Sequence, residues 1–278
     1  MCYYNSQRVT RAEHIRLKQL EKEISKYDFL TRDMISGFEY SQNAVLKKID
    51  DREDFDIVTM EWGFIPDAKA WPYMKTREEV KKWRSGFMDP RGKFQQLTLL
   101  NAVSEEILLP GKIYRDAALH RRCIVLSTGF FEWRHVFGTN KRTGQPLKTA
   151  NKIPYYVTLK GKEWFPIAGI WNPWTDPSTG EYVESFAIVT TAANELMQQV
   201  HNSKKRMPTI LTEELAYEWL LGNPDEKRIS ELAKFKYPSQ DMEACTIAKD
   251  FRESIEPAKQ FMYEDVPALE LNFNAAGA

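Results

Sequence analysis

The sequence is poor in the residues that most catalytic and metal chemistry relies on. Its 278 residues include three cysteines and four histidines, and 39 Lys and Arg balance 39 Asp and Glu. Cys2, Cys123 and Cys245 lie far apart, with no CxxC pair and no metal-ligand spacing. That argues against a disulfide framework, predicts no metal and no cofactor, and suits a reducing compartment. Zero net charge gives no bulk attraction to nucleic acid, so such a partner would need a local cluster of cations. No apolar run approaches the roughly 20 residues that span a bilayer. The N-terminal stretch becomes charged too early for a secretory signal. These features predict a soluble, cytoplasmic protein with no membrane partner.

Aromatic residues are plentiful, with 8 Trp, 12 Tyr and 15 Phe, and they incline an ordinary globular composition toward β structure. Short β-rich runs separated by turn residues occupy 55–62, 122–127, 130–134, 154–159, 164–170 and 185–191, and an apolar strand over 97–100 closes at Asn101. Residues 138–146 and 172–180 read as turn-rich connections. Helices are expected over 10–27, where Thr10 and Glu13 match a capping box, and over 76–84, 194–200 and 213–221, with another opening at Pro224 and running to about 235. With no repeat and no composition break, the pattern predicts an α+β fold: a mainly antiparallel β core of open, barrel-like sheets with flanking helices. Residues 1–235 form the domain. Residues 236–278 form an extension packed on it, with the last few residues disordered.

Cys2 follows the initiator methionine directly. It is either the accident of a frayed terminus or, once Met1 is removed, a residue carrying a thiol and a free α-amine on adjacent carbons. Such a 1,2-aminothiol condenses with an aldehyde through its amine and then closes a thiazolidine ring through its sulfur. Both groups titrate near neutrality, with ordinary pKa values of about 8.5 and 7.7–8.0. Glu132 sits in the aromatic run Gly129-Phe130-Phe131-Glu132-Trp133. If the Phe130 and Glu132 face lines a pocket, desolvation raises its pKa into the acid–base range; if it faces water, Glu132 is the polar half of an alternating strand. His201 precedes Lys204-Lys205-Arg206 and is either a surface residue or an imidazole kept neutral by nearby cations. Trp62 belongs to a core or to a base-stacking surface, and the cationic run suits phosphates or is simply solvated.

The order of these motifs is more specific than any one of them. Met1-Cys2 is followed by Trp62-Gly63-Phe64-Ile65-Pro66, Asn101-Ala102, Arg121-Arg122-Cys123, Gly129-Phe130-Phe131-Glu132-Trp133, Ala168-Gly169-Ile170-Trp171, Thr190-Thr191-Ala192-Ala193-Asn194, and His201 with Arg206-Met207-Pro208. From Cys2 to about Leu221 this series resembles the SRAP family, the SOS-response-associated peptidases or abasic-site processing proteins. The resemblance implies an SRAP-like fold and covalent capture of abasic sites in single-stranded DNA, with autoproteolysis and lyase cleavage as side activities. It implies Cys2 as nucleophile, Asn101 positioning it, Glu132 as acid–base and His201 assisting proton transfer. Arg206 would contact the DNA backbone and the protein would act as a monomer, nucleoid-associated when bound; from this chain's own residues Trp62 is expected to stack unpaired bases, and Lys204 and Lys205 to supply the phosphate contacts of arginines that the chain lacks. An N-terminal-nucleophile peptidase and a non-catalytic single-strand-binding module are the competing readings.

The chain departs from that family in three places. Tyr3 and Tyr4 stand where glycine and arginine usually follow the cysteine, and Val103 stands where arginine usually follows Asn-Ala. The His201-to-Arg206 segment is two residues longer than usual and contains Lys204 and Lys205.

Overall fold

The computed structural model describes residues 2–140 and 142–270. The chain opens with β1 (Tyr4–Ser6), and then folds a hairpin of β2 (His14–Leu17) and β3 (Leu20–Glu23). The helix expected over 10–27 is therefore absent. Alternation over four residues decides the matter: Ile15 and Leu17 are fully buried, and Arg16 between them is exposed. Lys18 takes φ 54°, which a tight two-residue turn accommodates, so that Leu17 pairs with Leu20. The Thr10/Glu13 capping box does not form either. The Thr10, Arg11 and Ala12 amides all donate to the Glu163 carboxylate instead.

Next come β4 (Ile35–Ser36), β5 (Gln42–Lys48) and β6 (Phe55–Trp62). An excursion carries α1 (Arg77–Ser85), whose Thr76 and Glu79 do form a capping box, and the small hairpin β7 (Phe87–Met88) and β8 (Phe94–Gln95). Residues 97–100 are not a strand. Leu99 has φ 50°, and β9 (Asn101–Val103) begins only after it, so Asn101 opens a strand rather than closing one. A short helix that composition does not mark, α2 (Arg115–His120), precedes β10 (Arg122–Ser127).

The expected strands at 130–134 and 154–159 are parts of a longer hairpin, β11 (Gly129–Thr139) and β12 (Pro146–Leu159). Likewise β13 (Phe165–Thr175) and β14 (Tyr182–Ala192) run beyond their apolar centres. Then follow α3 (Glu195–Val200), β15 (Arg206–Pro208), α4 (Glu213–Leu221), α5 (Glu226–Ala233) and β16 (Met242–Thr246). Asn194, Thr212 and Asp225 cap the three helices.

The expected α+β class with a mainly antiparallel core holds. One sheet runs β16-β12-β11-β1-β4. In the other, β13, β10, β5, β6 and β14 pair in series, and β14 pairs back with β13, which closes a five-stranded ring. Among the described residues only the β14–β6 and β14–β9 ladders are parallel. Alternating residues serve two cores. Leu46, Ile124 and Ala168 pack with Trp219 and Ile229 of the α4–α5 pair. Val45, Val125 and Ile167 pack with Phe130, Val157 and Cys2. The 236–278 extension contributes β16 as an edge strand on β12; its expected disordered end falls at 271–278, outside the described residues. Among the described residues no helix is long and apolar enough to cross a membrane, and all three cysteines are free.

Candidate active site

Cys2 lies at the entry to β1, which is wedged between β11 and β4 through Asn5↔Phe130 and Tyr4↔Ser36. Buried polar side chains hold this short strand in place. Asn5 donates to the Leu126 carbonyl at 3.0 Å and accepts from Ser127 Oγ at 2.6 Å, while Gln7 bridges Ala44 and Leu126. Each bond satisfies a group that burial would otherwise penalise by roughly 1–3 kcal/mol. Sequence reasoning missed Asn5 and Gln7; the only signal was their alternation along a strand too short to recognise.

Four expected site residues converge. Asn101 Nδ2 donates to the Cys2 carbonyl at 2.9 Å, and its Oδ1 is buried with no hydrogen-bond partner among the described residues. Glu132 points inward and is 3% exposed, which resolves the alternative left open by the strand pattern. Burial pushes its carboxyl up to about 7. His201 is 6% exposed, and its Nδ1 lies 3.7 Å from Glu132 Oε1 and 2.9 Å from the Arg206 carbonyl. Burial holds its pKa down at about 4. The imidazole is therefore neutral at pH 7, donating from Nδ1 to that carbonyl and leaving Nε2 as an acceptor. Burial also pushes the Cys2 thiol well above its ordinary value, and the Glu132 charge adds to this.

The loop after α3 makes the convergence possible. Lys205, at φ 51°, donates its N–H to the His201 carbonyl, and Asn202 exchanges two 2.9 Å hydrogen bonds with the His135 backbone. The loop is thus fastened to β11 three residues past Glu132. Nothing in the spacing of His201 and Glu132 marks Asn202 for this task.

The expected DNA contacts fare differently. Trp62 is fully buried, stacks on Phe186 at 6.2 Å and donates Nε1 to the Leu100 carbonyl. It offers no open face to a base and instead fixes the residue before Asn101. Gly63 follows it at φ 133°, where an added Cβ would stand 2.6 Å from the Tyr40 ring. The Arg206 guanidinium is held by Glu105 through two bonds, at 2.6 and 2.8 Å, so it braces the His201 loop rather than projecting to a strand. Lys204 and Lys205 are exposed. Tyr4 fills an aromatic cluster with Trp133 and Phe251, so it belongs to the core, whereas Tyr3 is half-buried at its edge and packs on the exposed Phe38.

A family model described as SOS response associated peptidase (SRAP) matches residues 1–254. Abasic site processing protein YoqW of Bacillus subtilis (strain 168) is 32% identical over 176 residues, which is 62% of this chain and 71% of that protein. Abasic site processing protein HMCES of Mus musculus is 29% identical over 187 residues, 61% of this chain and 46% of that one. A solved structure of a Bacteroides thetaiotaomicron protein matches with TM-score 0.67 and 26% identity, covering 94% of this chain and all of that one. A phage-related protein from Bordetella bronchiseptica, 17% identical with TM-score 0.60, shares the fold over 89% of this chain and 95% of its own.

Proposed function

From a chain that belongs to the SRAP family, we propose a protein that covalently captures ring-opened abasic sites in single-stranded DNA. The observation that carries the reading is the buried meeting of Cys2, Asn101, Glu132 and His201. With Met1 removed, the Cys2 α-amine adds to the C1′ aldehyde and water leaves, forming an imine. The Cys2 S–H then adds across the C=N bond: sulfur bonds to carbon, its proton passes to nitrogen, and a thiazolidine closes. Glu132, poised near neutrality, gives and takes protons during sugar ring opening and dehydration. Asn101 holds the Cys2 backbone, and neutral His201 accepts a proton through Nε2. Loss of Met1 by autoproteolysis and strand cleavage by β-elimination from the imine belong to the same reading as side activities.

A thiol pushed above its ordinary pKa is a poor source of thiolate. This favours attack by the amine first over a peptidase that begins with sulfur on an amide carbonyl. The test is incubation with single-stranded DNA bearing one abasic site, followed by a denaturing gel and intact-mass measurement. The expected product is a heat-stable shifted band from a protein lighter by one methionine, absent for Cys2→Ala. Peptide cleavage without the band would favour the peptidase. Binding that survives Cys2→Ala, with no covalent product from the parent chain, would favour a non-catalytic module.

A further inference from the structure

The excursion between β6 and β9 supplies none of the four side chains that meet at Cys2, yet its outer face is organised. Its inner face is anchored: Met74 and Val80 join a small core with Ile65 and Trp174, and Arg77 and Arg84 both bind the Glu61 carboxylate. Four aromatic rings adjoin one another above it, with Trp71 and Trp83 half-buried against that core and Phe87 half-buried beside them. Trp71, Tyr73 and Trp83 have centroids 5.4–6.2 Å apart, and Trp83 lies 5.0 Å from Phe87. Tyr73 is 57% exposed, and so is Phe94 on the neighbouring hairpin. Gly86, at φ 84°, makes that hairpin possible: an added Cβ would stand 2.3 Å from the Phe94 ring.

The charges are sorted as well. In a chain of zero net charge, residues 67–95 carry eight Lys and Arg against four Asp and Glu. Three of the four acids are turned onto backbone amides: Asp67 onto Lys69, Glu79 onto Lys75 and Thr76, and Asp89 onto Arg91 and Lys93; Glu78 is the exception. The cations Lys81, Lys82, Arg91 and Lys93 point to solvent without an acidic partner among the described residues, and Lys82 Nζ stands 4.6 Å over the Phe87 ring. Exposed aromatic faces interleaved with unpaired cations suit a polymer of bases and phosphates. They do not suit an apolar protein face, which would leave those lysines desolvated and unpaired.

The patch is also connected to the site. Leu97 donates to the Trp83 carbonyl, and the chain then runs through Leu100, held by Trp62, into Asn101 and its bond to Cys2.

We propose that this aromatic and cationic face of α1 and the β7–β8 hairpin is a second contact surface for single-stranded DNA, gripping undamaged nucleotides beside the captured site. The inference rests on the single-strand reading above. Its test is fluorescence anisotropy with undamaged labelled oligo(dT) across a salt series, using the full chain. Tyr73→Ala with Phe94→Ala weakens binding by about tenfold, because one stacked base is lost. Lys81→Ala with Lys82→Ala reduces the salt slope by about 1.4, at roughly 0.7 per phosphate contact on a single strand. All four side chains are exposed, and the charge pair tests the surface independently if the aromatic pair melts early. Affinity and slope unchanged in both pairs would overturn the proposal, including in favour of a protein partner for this face. Gel-shift capture by the unmutated chain reports separately on the function. Capture with unaffected oligo(dT) binding in both pairs sinks only this surface, whereas no capture with impaired binding in the variants sinks only the covalent reading.

Discussion

Asn101 Nδ2 donates to the Cys2 carbonyl at 2.9 Å across 99 positions of sequence. The bond fixes the carbonyl side of Cys2, whose amine and sulfur would both reach one carbon in the proposed capture. Its Oδ1 remains a buried acceptor without a described partner, suited to orient a new N–H. Asn101→Ala removes both and is expected to slow adduct formation two- to tenfold, since a hydrogen bond of this kind contributes about 0.5–1.5 kcal/mol. Asn101→Asp keeps the acceptor but loses the donor. Single-turnover gel assays compare the two; an unchanged rate in Asn101→Ala would remove the residue from the site.

Adduct formation should have a bell-shaped pH dependence. In the proposed capture the amine must be deprotonated, so the rate rises through its ordinary value of about 7.7–8.0. A protonated Glu132 must assist departure of water, and that form is lost as pH rises through about 7. The maximum then falls between about 7 and 8. Glu132→Gln should be slower by about 100-fold and should lose the alkaline limb. An alkaline limb that survives in Glu132→Gln would assign it to another group.

The same carboxyl makes a prediction about stability. Its folded pKa, about 7, lies above the unfolded value of about 4.5. The folded state therefore holds an extra proton between those values. The side chain costs nothing below about pH 4.5, and stability falls progressively as pH rises to about 7, reaching about 3 kcal/mol at 1.4 kcal/mol per unit. Glu132→Gln should raise Tm by about 5 °C at pH 8.5 and leave it nearly unchanged at pH 4.5, as read by thermal melts. An equal shift at both values would mean that the carboxyl is not titrating as described.

The sequence revealed those parts of the molecule whose signals are local. The strand 55–62, the helix over 76–84 and the Thr212 cap are each written within a few neighbouring residues. The hairpin at 14–23 was not legible, because Leu17, Leu20, Ile24 and Tyr27 fit a helical face while Ile15 and Leu17 fit a strand, and tertiary burial chose between them. Cys2, Asn101, Glu132 and His201 were legible through the order of their motifs. Their supports were not: Asn5, Gln7, Asn202 and Glu105 act on partners from 37 to 122 positions away. Trp62 and Arg206 illustrate the limit, since residue type allows a role in DNA contact that burial and the Glu105 carboxylate withhold.

Lys204 and Lys205 lie between His201 and Arg206, and both are exposed. With Arg206 engaged by Glu105, they are the cations that the loop presents beside the site. If they stand in for the arginines absent at positions 4 and 103, Lys204→Ala with Lys205→Ala should reduce the salt slope of abasic-strand binding by about 1.4. A slope equal to that of the unmutated chain would leave both lysines as solvated surface.

Restoring the residue usual in the family at position 4 should harm this chain rather than improve it. Tyr4 is 8% exposed and meets Trp133 at 5.2 Å and Phe251 at 6.1 Å, both nearly edge-on. Phe251 belongs to the segment after β16, so the aromatic pair ties the N-terminal strand to the far end of the chain. Tyr4→Arg would bury a guanidinium among these rings, beside Arg252, which already approaches the Tyr4 hydroxyl at 3.5 Å. Losing the ring contacts and placing like charges together should cost about 3 kcal/mol or more, visible as a lower urea midpoint. Tyr4→Phe keeps the rings and should stay within about 1 kcal/mol of the parent. A Tyr4→Arg protein as stable as the parent and tighter on DNA would show that position 4 serves the nucleic acid and not the core.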